Sequence, residues 1–269
     1  MRKLQPFSVL FLPLALLLGG CNLEKEIEVE LPPHTPQLVL ECYLEPGKPV
    51  RALLLETASY FDNPELPVVP RADMVIRHND RQIKLNFGPF QDDYTKKYYT
   101  HRSSEVIYGK PGDVYTIEVT DDKNRRLTGS TTMLAPVEID SAEYRFNTKD
   151  EAFLLVNFQD DGTQRNFYRF TARKRSDANW KTEFSAPDNL TNGQPVTFGT
   201  GYDYAKGDTA YVALYHLEEK YYDYLESVSD ARRSNGNPFA QPGRIKSTVT
   251  GGIGVFTNLA VTRKTLIIQ

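Results

Sequence analysis

The segment Pro111-Gly112-Asp113-Val114-Tyr115-Thr116-Ile117-Glu118-Val119 begins with a glycine turn and continues as a run of alternating apolar residues. β-Sandwich domains begin a late strand in this way beside a tyrosine corner, where the tyrosine hydroxyl bonds to the backbone a few residues upstream. We therefore expect a β-strand from Val114, with Tyr115 at such a corner, in a sandwich whose other strands flank this segment.

Short apolar runs separated by turn residues surround that segment. They are rich in β-branched and aromatic residues, as strands are. The candidate strands are Gln37–Leu44, Val50–Thr57, Asp73–Arg77, Gln82–Phe87, Val114–Thr120 and Leu127–Met133. Turn residues such as Glu45–Pro49 and His78–Asp80 connect them. This pattern predicts an immunoglobulin-like β-sandwich over residues 37–135, which ends before Pro136.

Residues 136–269 give a second set of strand signals. The predicted strands are Val137–Phe146, Ala152–Gln159, Phe167–Lys174, Asp208–Leu217 and Leu259–Ile268. Residues 176–207 are polar and rich in Gly, Asn and Pro, so we predict a long loop, and such loops are often functional. Asp160-Asp161-Gly162 lacks the fuller spacing of a calcium loop and is predicted to form a hairpin turn.

One segment of the second half has helical periodicity. Its apolar residues recur three and four positions apart and form one stripe: Leu217, Tyr221, Tyr224, Leu225 and Val228. Acidic residues begin the segment and Arg232-Arg233 end it, which matches the helix dipole, and Asn235-Gly236 then stops it. The chain is therefore predicted to be mostly β, with an immunoglobulin-like β-sandwich followed by a second β-rich domain that has one amphipathic helix at about 217–233.

Residues 1–20 have the features of a secretory signal, with Arg2-Lys3 followed by an uncharged apolar core too short to span a bilayer. The core ends in Leu18-Gly19-Gly20-Cys21, which resembles a bacterial lipobox, where cleavage leaves a diacylglycerol-modified cysteine as the new N-terminus. We expect a lipid anchor in the membrane at Cys21 and a tether over residues 21–36. The alternative is an ordinary cleavage site with a chance cysteine.

Charge and cysteine content exclude several classes of protein. The full chain has a net charge of −3, and without residues 1–20 it carries 30 basic against 35 acidic residues, or −5. A mildly acidic body argues against nucleic acid as a partner. Of the two cysteines, Cys21 is taken up by lipid, so no disulfide can form within the chain. Cys42 lies in an apolar run and is predicted to be a buried, unreactive strand residue.

The sequence lacks the patterns that mark known catalytic chemistry. Its four histidines are scattered without metal-ligand spacing, and neither a Gly-x-Ser-x-Gly elbow nor a Walker loop is present. We therefore expect a protein that is not an enzyme, with no catalytic residues, no metal and no cofactor. A hydrolase whose site no motif marks is kept as an alternative.

Two tyrosine-rich stretches are candidate contact surfaces for a ligand or partner. Tyrosine combines a rigid apolar ring with a polar tip, which suits interfaces. The candidates are Tyr94, Tyr98 and Tyr99 in the stretch Gln91–Arg102, and Trp180, Tyr202 and Tyr204 in or beside the predicted long loop. The same residues would equally suit the rim of an ordinary sandwich.

The residues after the predicted helix form two blocks. One is Asn235–Pro242 with Asn237-Pro238-Phe239 at its centre, and the other is Ser247–Phe256, which ends in Gly251-Gly252-Ile253-Gly254-Val255-Phe256. Weaker matches elsewhere are Glu26–Pro32 after Cys21, Leu38–Lys48, Gly112–Tyr115 and Asn166–Arg169. Together these blocks resemble the DUF4249 family, whose members are Bacteroidota lipoproteins of uncharacterised biochemistry, often encoded beside TonB-dependent outer-membrane transporters.

This resemblance implies an outer-membrane lipoprotein that faces the cell exterior. It further implies a binding or accessory subunit of a TonB-dependent transporter, which captures a nutrient or caps the transporter, and it supplies no catalytic residues. A structural or adhesion lipoprotein with no small-molecule ligand is the alternative.

Gly251, Gly252 and Gly254 do not open a helix, as a phosphate loop must, so we predict that they allow two backbones to pack closely or form a bulge.

Overall fold

β-Strands predominate in this protein. The computed structural model describes residues 34–59, 67–92, 97–235, 241 and 243–269. Pro36–Gln269 is one compact unit, distinct from Met1–Thr35. The predicted signal sequence with Cys21, most of the tether, Tyr94 and Asn237–Phe239 lie outside the described residues.

Sixteen strands and one helix are found in the described residues. In chain order they are β1 Leu38–Leu44, β2 Pro49–Glu56, β3 Ala72–His78, β4 Arg81–Gln91, β5 Tyr98–Val106, β6 Val114–Asp121, β7 Arg126–Thr132, β8 Ser141–Phe146, β9 Ala152–Gln159, β10 Phe167–Lys174, β11 Thr182–Pro187, β12 Pro195–Gly199, β13 Thr209–Leu217, α1 Glu219–Ser234, β14 Val249–Thr250, β15 Gly252–Asn258 and β16 Ala260–Ile267. The predicted mostly β fold with a single helix is confirmed.

The first sandwich is a nine-stranded sheet in the order β14-β7-β6-β3-β4-β5-β2-β1-β15. The two outermost strands of this sheet, β14 and β15, are consecutive in the sequence and are separated only by Gly251. β14 pairs with β7 at one end of the sheet, and β15 pairs with β1 at the other. A Cβ atom on Gly251 would lie 2.1 Å from the carbonyl oxygen of Arg126, and one on Gly252 would lie 2.5 Å from that of Leu38. The predicted close packing of two backbones at these glycines is therefore confirmed.

The predicted hairpins of the first sandwich are present. β3 and β4 pair antiparallel around Asn79-Asp80, and Asn79 adopts the positive φ of 50° that a tight turn requires. Alternating residues of each strand then point into one apolar core. Cys42 is fully buried there, as predicted, and burial raises the pKa of its thiol to about 12, so the thiol is inert at neutral pH.

Tyr115 is 4 % exposed at the start of β6. Its ring stacks on His78 at 4.4 Å between ring centroids, and a Cβ atom on the upstream residue Gly109 would lie 3.0 Å from that ring. Among the described residues, the Tyr115 ring packs against the upstream chain. The predicted hydrogen bond from its hydroxyl to the backbone is not found among them.

The second sandwich packs a four-stranded sheet, β11-β10-β13-β16, against a three-stranded sheet, β12-β9-β8. All pairs in both sheets are antiparallel. The apolar core between the sheets includes Leu154, Phe170 and Leu214, which are fully buried. The chain leaves the first sheet after Thr132 and returns to it at Val249, so the second sandwich is an insertion between β7 and β14 of the first.

Two local predictions in this half were wrong. Residues 176–207 are not a long loop, because they hold β11 and β12, which are edge strands of the two sheets. Edge strands are half exposed on both faces, so polar residues occupy them and the strand pattern is lost. Asp160-Asp161-Gly162 is not a hairpin turn, because β9 and β10, on either side of it, belong to different sheets.

The helix α1 starts two residues later than predicted and ends one residue later. Its tyrosine stripe packs with Phe167, Leu217 and Val255 in a third apolar cluster, where Tyr221 is 1 % exposed. Glu219 in the first turn and Arg232 and Arg233 in the last match the helix dipole as expected. Within the described part of the chain, no helix has the length and apolar character needed to cross a membrane.

Candidate functional site

The register of β10 and β13 places two arginines directly opposite two tyrosines. Arg169 pairs with Tyr215, and Arg173 pairs with Tyr211. Paired residues lie on the same face of a sheet, and the alternate residues such as Phe170 fill the core. These four side chains therefore cover the outer face of the four-stranded sheet. Together with Trp180 we call them the arginine–tyrosine face.

Arg173 holds one half of this face together. The centre of its guanidinium lies 5.5 Å from the Tyr211 ring centroid and 5.3 Å from that of Trp180. Its Nη1 donates a hydrogen bond of 2.5 Å to the carbonyl oxygen of Asp177. The side chain is 8 % exposed, so both rings are fixed by a desolvated cation, which strengthens cation–π attraction.

Arg169 contacts the side chains in the other half of the arginine–tyrosine face. Its guanidinium lies 5.9 Å from the Tyr215 ring centroid, its Nη1 donates to the Tyr221 hydroxyl at 3.0 Å, and its Nη2 forms an ion pair with Glu183. Burial by itself lowers the pKa of Arg169, but Tyr221, Glu183 and Tyr215 together raise it above its ordinary value. The guanidinium is therefore charged at neutral pH, and it orients both rings.

The first sandwich continues this face through Tyr43 of β1. The Tyr43 and Tyr221 rings meet edge to face at 6.1 Å, and the Lys97 ammonium lies 4.8 Å from the centre of the Tyr43 ring. Lys97 also lies 3.6 Å from the Glu41 carboxylate. Because Lys97 belongs to the first tyrosine-rich stretch and Trp180 to the second, residues of both predicted stretches reach this one region.

Four of the tyrosines in this region are neutral at physiological pH. Burial raises the pKa of Tyr43, Tyr215 and Tyr221, and it raises that of Tyr224 to about 12. Neutral phenols between fixed cations give a rigid surface that can stack against and hydrogen-bond to a partner at little cost in side-chain entropy.

The other residues predicted in the first stretch have different positions. Tyr98 is 40 % exposed at the start of β5. Tyr99, in contrast, is 5 % exposed, because its ring stacks on Phe90 at 5.5 Å and the Arg51 guanidinium lies 4.8 Å from its centroid. The prediction that Tyr99 contacts a partner is therefore wrong, since its neighbours already cover it.

Tyr202 and Tyr204 also differ from each other. Tyr202 is 54 % exposed and meets Phe153 edge to face at 5.1 Å. Tyr204 is 2 % exposed because its backbone bridges to Ala152 and turns its ring into the core of the second sandwich. The contact role predicted for Tyr204 is therefore wrong, whereas Tyr202 lies on a separate surface from Trp180.

A buried polar network lies close to the start of β10. Asp160 accepts hydrogen bonds from the Tyr168 hydroxyl at 2.5 Å, from Asn166 Nδ2 at 3.2 Å and from the Gly193 amide at 2.6 Å. The His216 ring contacts Asn166 Oδ1 at 3.1 Å. These side chains are at most 8 % exposed, so no substrate reaches them and the network does not favour the hydrolase alternative.

In the part of the chain that the structure describes, no group of three His, Cys, Asp or Glu side chains is placed to hold a metal ion. A shallow depression of about 320 Å³ lies beside Glu56, Arg71 and Arg125. Arg125 there is already paired with Glu56 and Asp121, at 2.8 and 2.6 Å.

Arg169 and Arg173 were not predicted as site residues, although a signal for them was present. Arg169 and Arg173 are four residues apart in one predicted strand, and Tyr211 and Tyr215 are four apart in another. Equal even spacing places each pair on one face of its strand. Only the register, which the sequence does not reveal, brings the cations over the rings.

The fold and this surface define a class: a β protein of two sandwiches with an aromatic, arginine-braced outer face. The chain belongs to the family described as domain of unknown function DUF4249, whose model matches residues 24–265.

A comparison with curated proteins gave no match. Among solved structures, a cytokine receptor complex is 9 % identical, with 84 % of this chain and 94 % of that chain covered and a TM-score of 0.26. A segment of two fibronectin type III domains from chicken tenascin is 12 % identical, with coverages of 68 % and 92 % and a TM-score of 0.22.

Proposed function

We propose that this protein is a lipid-anchored binding subunit at the outer face of the outer membrane, where it works with a TonB-dependent transporter. The lipobox-like sequence at Cys21 supports the anchor, and the family resemblance supports the partner. The arginine–tyrosine face is the surface through which it contacts that partner.

The observation that carries the contact surface is the fixing of three partly exposed aromatic side chains by two guanidinium groups. Arg169 orients Tyr215 and is itself held by the buried Tyr221 hydroxyl, and Arg173 orients Tyr211 and Trp180. Interfaces gain affinity when large rings are held in their bound positions before contact, because little freedom is lost on binding.

The tether supports the same function. Residues 21–36 can reach at most about 55 Å when fully extended. A body confined to that distance from its anchor meets a transporter in the same membrane at a high effective concentration, so a weak contact surface is sufficient.

The proposal is tested by mild-detergent purification of a C-terminally tagged protein from its native membrane, followed by mass spectrometry. We expect a TonB-dependent transporter to copurify with the wild type. Trp180→Ala and Tyr211→Ala remove rings from the arginine–tyrosine face and should reduce recovery of the transporter severalfold. Tyr108→Ala is the matched control, since Tyr108 is 71 % exposed and outside this face.

Two results would count against the proposal. Repeated recovery of the wild type without a transporter would exclude the transporter as a partner. Equal losses of transporter recovery in all three variants would exclude the arginine–tyrosine face as the contact surface. A separate variant, Cys21→Ala, tests the anchor, since it should move the protein from the membrane fraction to the soluble fraction. Retention of that variant in the membrane would contradict lipid attachment at this residue.

A further inference from the structure

The outer face of the three-stranded sheet carries a second arrangement of side chains. Leu154 and Val156 of β9 are fully buried in the core, so the alternate residues of that strand face outward. The strand register then places residues of β8 and β12 beside them on the same face. This surface, called the Phe153 face, consists of Ser141, Glu143, Arg145, Phe153, Leu155, Asn157, Thr197 and Gly199, with Tyr202 at its edge.

One end of the Phe153 face is aromatic. The rings of Phe153 and Tyr202 meet at 5.1 Å with an interplanar angle of 69°, and Tyr202 is 54 % exposed. Gly199 lies beside Leu155, whose Cδ2 would be 3.3 Å from a Cβ atom at this glycine, so the leucine side chain covers the backbone there. The result is an apolar patch bordered by an exposed phenol.

The other end is polar but uncharged. Asn157 Nδ2 donates to Ser141 Oγ at 2.8 Å, and Thr197 Oγ1 donates to Asn157 Oδ1 at 2.6 Å, so one amide and two hydroxyls form a row across the three strands. Arg145, opposite Phe153 at the aromatic end, is paired at 3.4 Å with Glu143, which lies opposite Leu155 in the middle of the face. Their charges cancel, and the face as a whole is suited to a neutral ligand.

The size of the face argues against a protein partner. Five residues of β9 span about 13 Å, and two gaps between strands add about 10 Å in width. The resulting area of roughly 150 Å² is a small fraction of the roughly 800 Å² that each partner buries in a stable protein interface. A second copy of this chain seated here would therefore not form a stable dimer, whereas a ligand of two or three rings fits the area.

We propose that the Phe153 face binds a neutral oligosaccharide. The apolar C–H face of a pyranose ring packs on accessible aromatic rings, here the exposed Tyr202 and the partly exposed Phe153, and sugar hydroxyls exchange hydrogen bonds with amide and hydroxyl groups such as those of Asn157 and Thr197. This inference names a ligand class for a surface other than the arginine–tyrosine face, and it does not depend on the transporter as a partner.

The test uses the full chain, purified in a detergent without sugar head groups, and isothermal titration with cello-, xylo-, malto- and manno-hexaose, with an oligogalacturonate as the acidic comparison. We expect millimolar or tighter binding of at least one neutral hexaose. Tyr202→Ala should weaken that binding about tenfold or more, and Thr197→Val, which keeps the β-branched shape but removes the hydroxyl, should weaken it severalfold. Tyr108→Ala, an exposed tyrosine elsewhere, should bind like the starting protein.

Several outcomes would overturn the proposal. They are binding of the acidic oligomer alone, no binding of any neutral hexaose, and binding that Tyr202→Ala and Thr197→Val leave unchanged. Concentration-dependent dimers in analytical ultracentrifugation that disappear in Tyr202→Ala would assign the face to a second copy instead. Because Tyr202 and Thr197 are at the surface of the sheet, thermal unfolding of each variant should match the starting protein, which separates a lost site from a lost fold.

Discussion

A Cβ atom built on Gly254 would lie 1.9 Å from the carbonyl oxygen of Leu40. The two residues face each other in the parallel pairing of β15 with β1, and Gly254 adopts a φ of 128° that other residues rarely reach. The C-terminal strand therefore approaches β1 more closely than any side chain at this position permits. The last strand of the first sandwich can close the sheet only because positions 252 and 254 are glycines.

The substitution Gly254→Ala should destabilise the protein by more than about 3 kcal/mol, because both the backbone angle and the contact with Leu40 become unfavourable. Urea denaturation measures the loss. Gly207→Ala is the matched control, since Gly207 also has a positive φ, 92°, but open space around its Cβ position. It should cost only about 1 kcal/mol. Equal losses would mean that the backbone angle alone, and not the approach of the two strands, requires glycine.

Local patterns were enough to place the central strands of this fold. β9 and β10 begin and end where the sequence predicts, because buried central strands carry uninterrupted apolar alternation. The glycines of β15 predict a close approach of two backbones, but the identity of the partner strand β1 could not be predicted, since the pairing joins segments near the two ends of the compact unit. The edge strand β11 was missed for a different reason. Its neighbouring residues Glu183 and Phe184 are both exposed, so no alternation remains.

The candidate contact surface could be predicted only in part. Trp180 was identified because a single tryptophan among polar residues is conspicuous, but the arginine beneath it was not, because cross-strand register is a property of the folded sheet. Tyr99 and Tyr204 were identified by residue type and are buried, since the sequence does not say which tyrosines neighbouring elements cover. Residue type thus predicts what a side chain can do, and topology decides whether a partner can reach it.

Removal of the Tyr168 hydroxyl tests the buried network of the second sandwich. It donates to the Asp160 carboxylate at 2.5 Å, where both side chains are at most 3 % exposed. Hydrogen bonds to a carboxylate contribute about 1.5–3 kcal/mol, so Tyr168→Phe should lower the free energy of unfolding by about 2 kcal/mol in urea denaturation. Tyr202→Phe, at an exposed ring, should change it by less than about 0.5 kcal/mol. If Tyr168→Phe lowered the free energy of unfolding by less than about 0.5 kcal/mol, the network would not stabilise the fold.

His101 should make the protein sensitive to mild acid. It is fully buried in β5, its Nε2 has no hydrogen-bond partner among the described residues, and burial lowers its pKa from 6.5 to about 4. Between these two values the unfolded chain binds a proton that the folded chain does not, so the free energy of unfolding falls as the pH falls. The loss from pH 7 to pH 4 attributable to this residue is on the order of 3 kcal/mol.

The measurement is urea denaturation at a series of pH values for the wild type and for His101→Phe, which keeps a ring of similar size. The variant should have a flatter dependence on pH below 6.5, even if its stability at pH 7 differs. His34→Phe removes an exposed histidine and should leave the dependence unchanged. If the His101 variant followed the wild-type curve, another group would be responsible for any acid sensitivity.

Glu218 connects the helix to the first sandwich. Its carboxylate accepts a hydrogen bond of 2.9 Å from the backbone amide of Thr132 and another from the Thr131 hydroxyl, and the side chain is 11 % exposed. Glu218 is the extended residue directly before α1. Its carboxylate therefore binds the end of β7 and does not cap the helix. Loss of the carboxylate leaves a buried amide and a buried hydroxyl without this acceptor, which costs more than the bonds themselves contribute.

We therefore expect Glu218→Ala to lower the free energy of unfolding by about 2–3 kcal/mol. The adjacent substitution Glu219→Ala is the control, because Glu219 is 62 % exposed and forms only a surface ion pair with Arg165 at 2.9 Å. Such pairs contribute less than about 1 kcal/mol. Native-state hydrogen exchange should in addition show faster exchange at the Thr132 amide in Glu218→Ala alone, because that amide loses its acceptor while the helix itself keeps its hydrogen bonds. If the two variants lost equal stability, the effect would come from charge at the helix start, and the anchoring of α1 to β7 would have no energetic role.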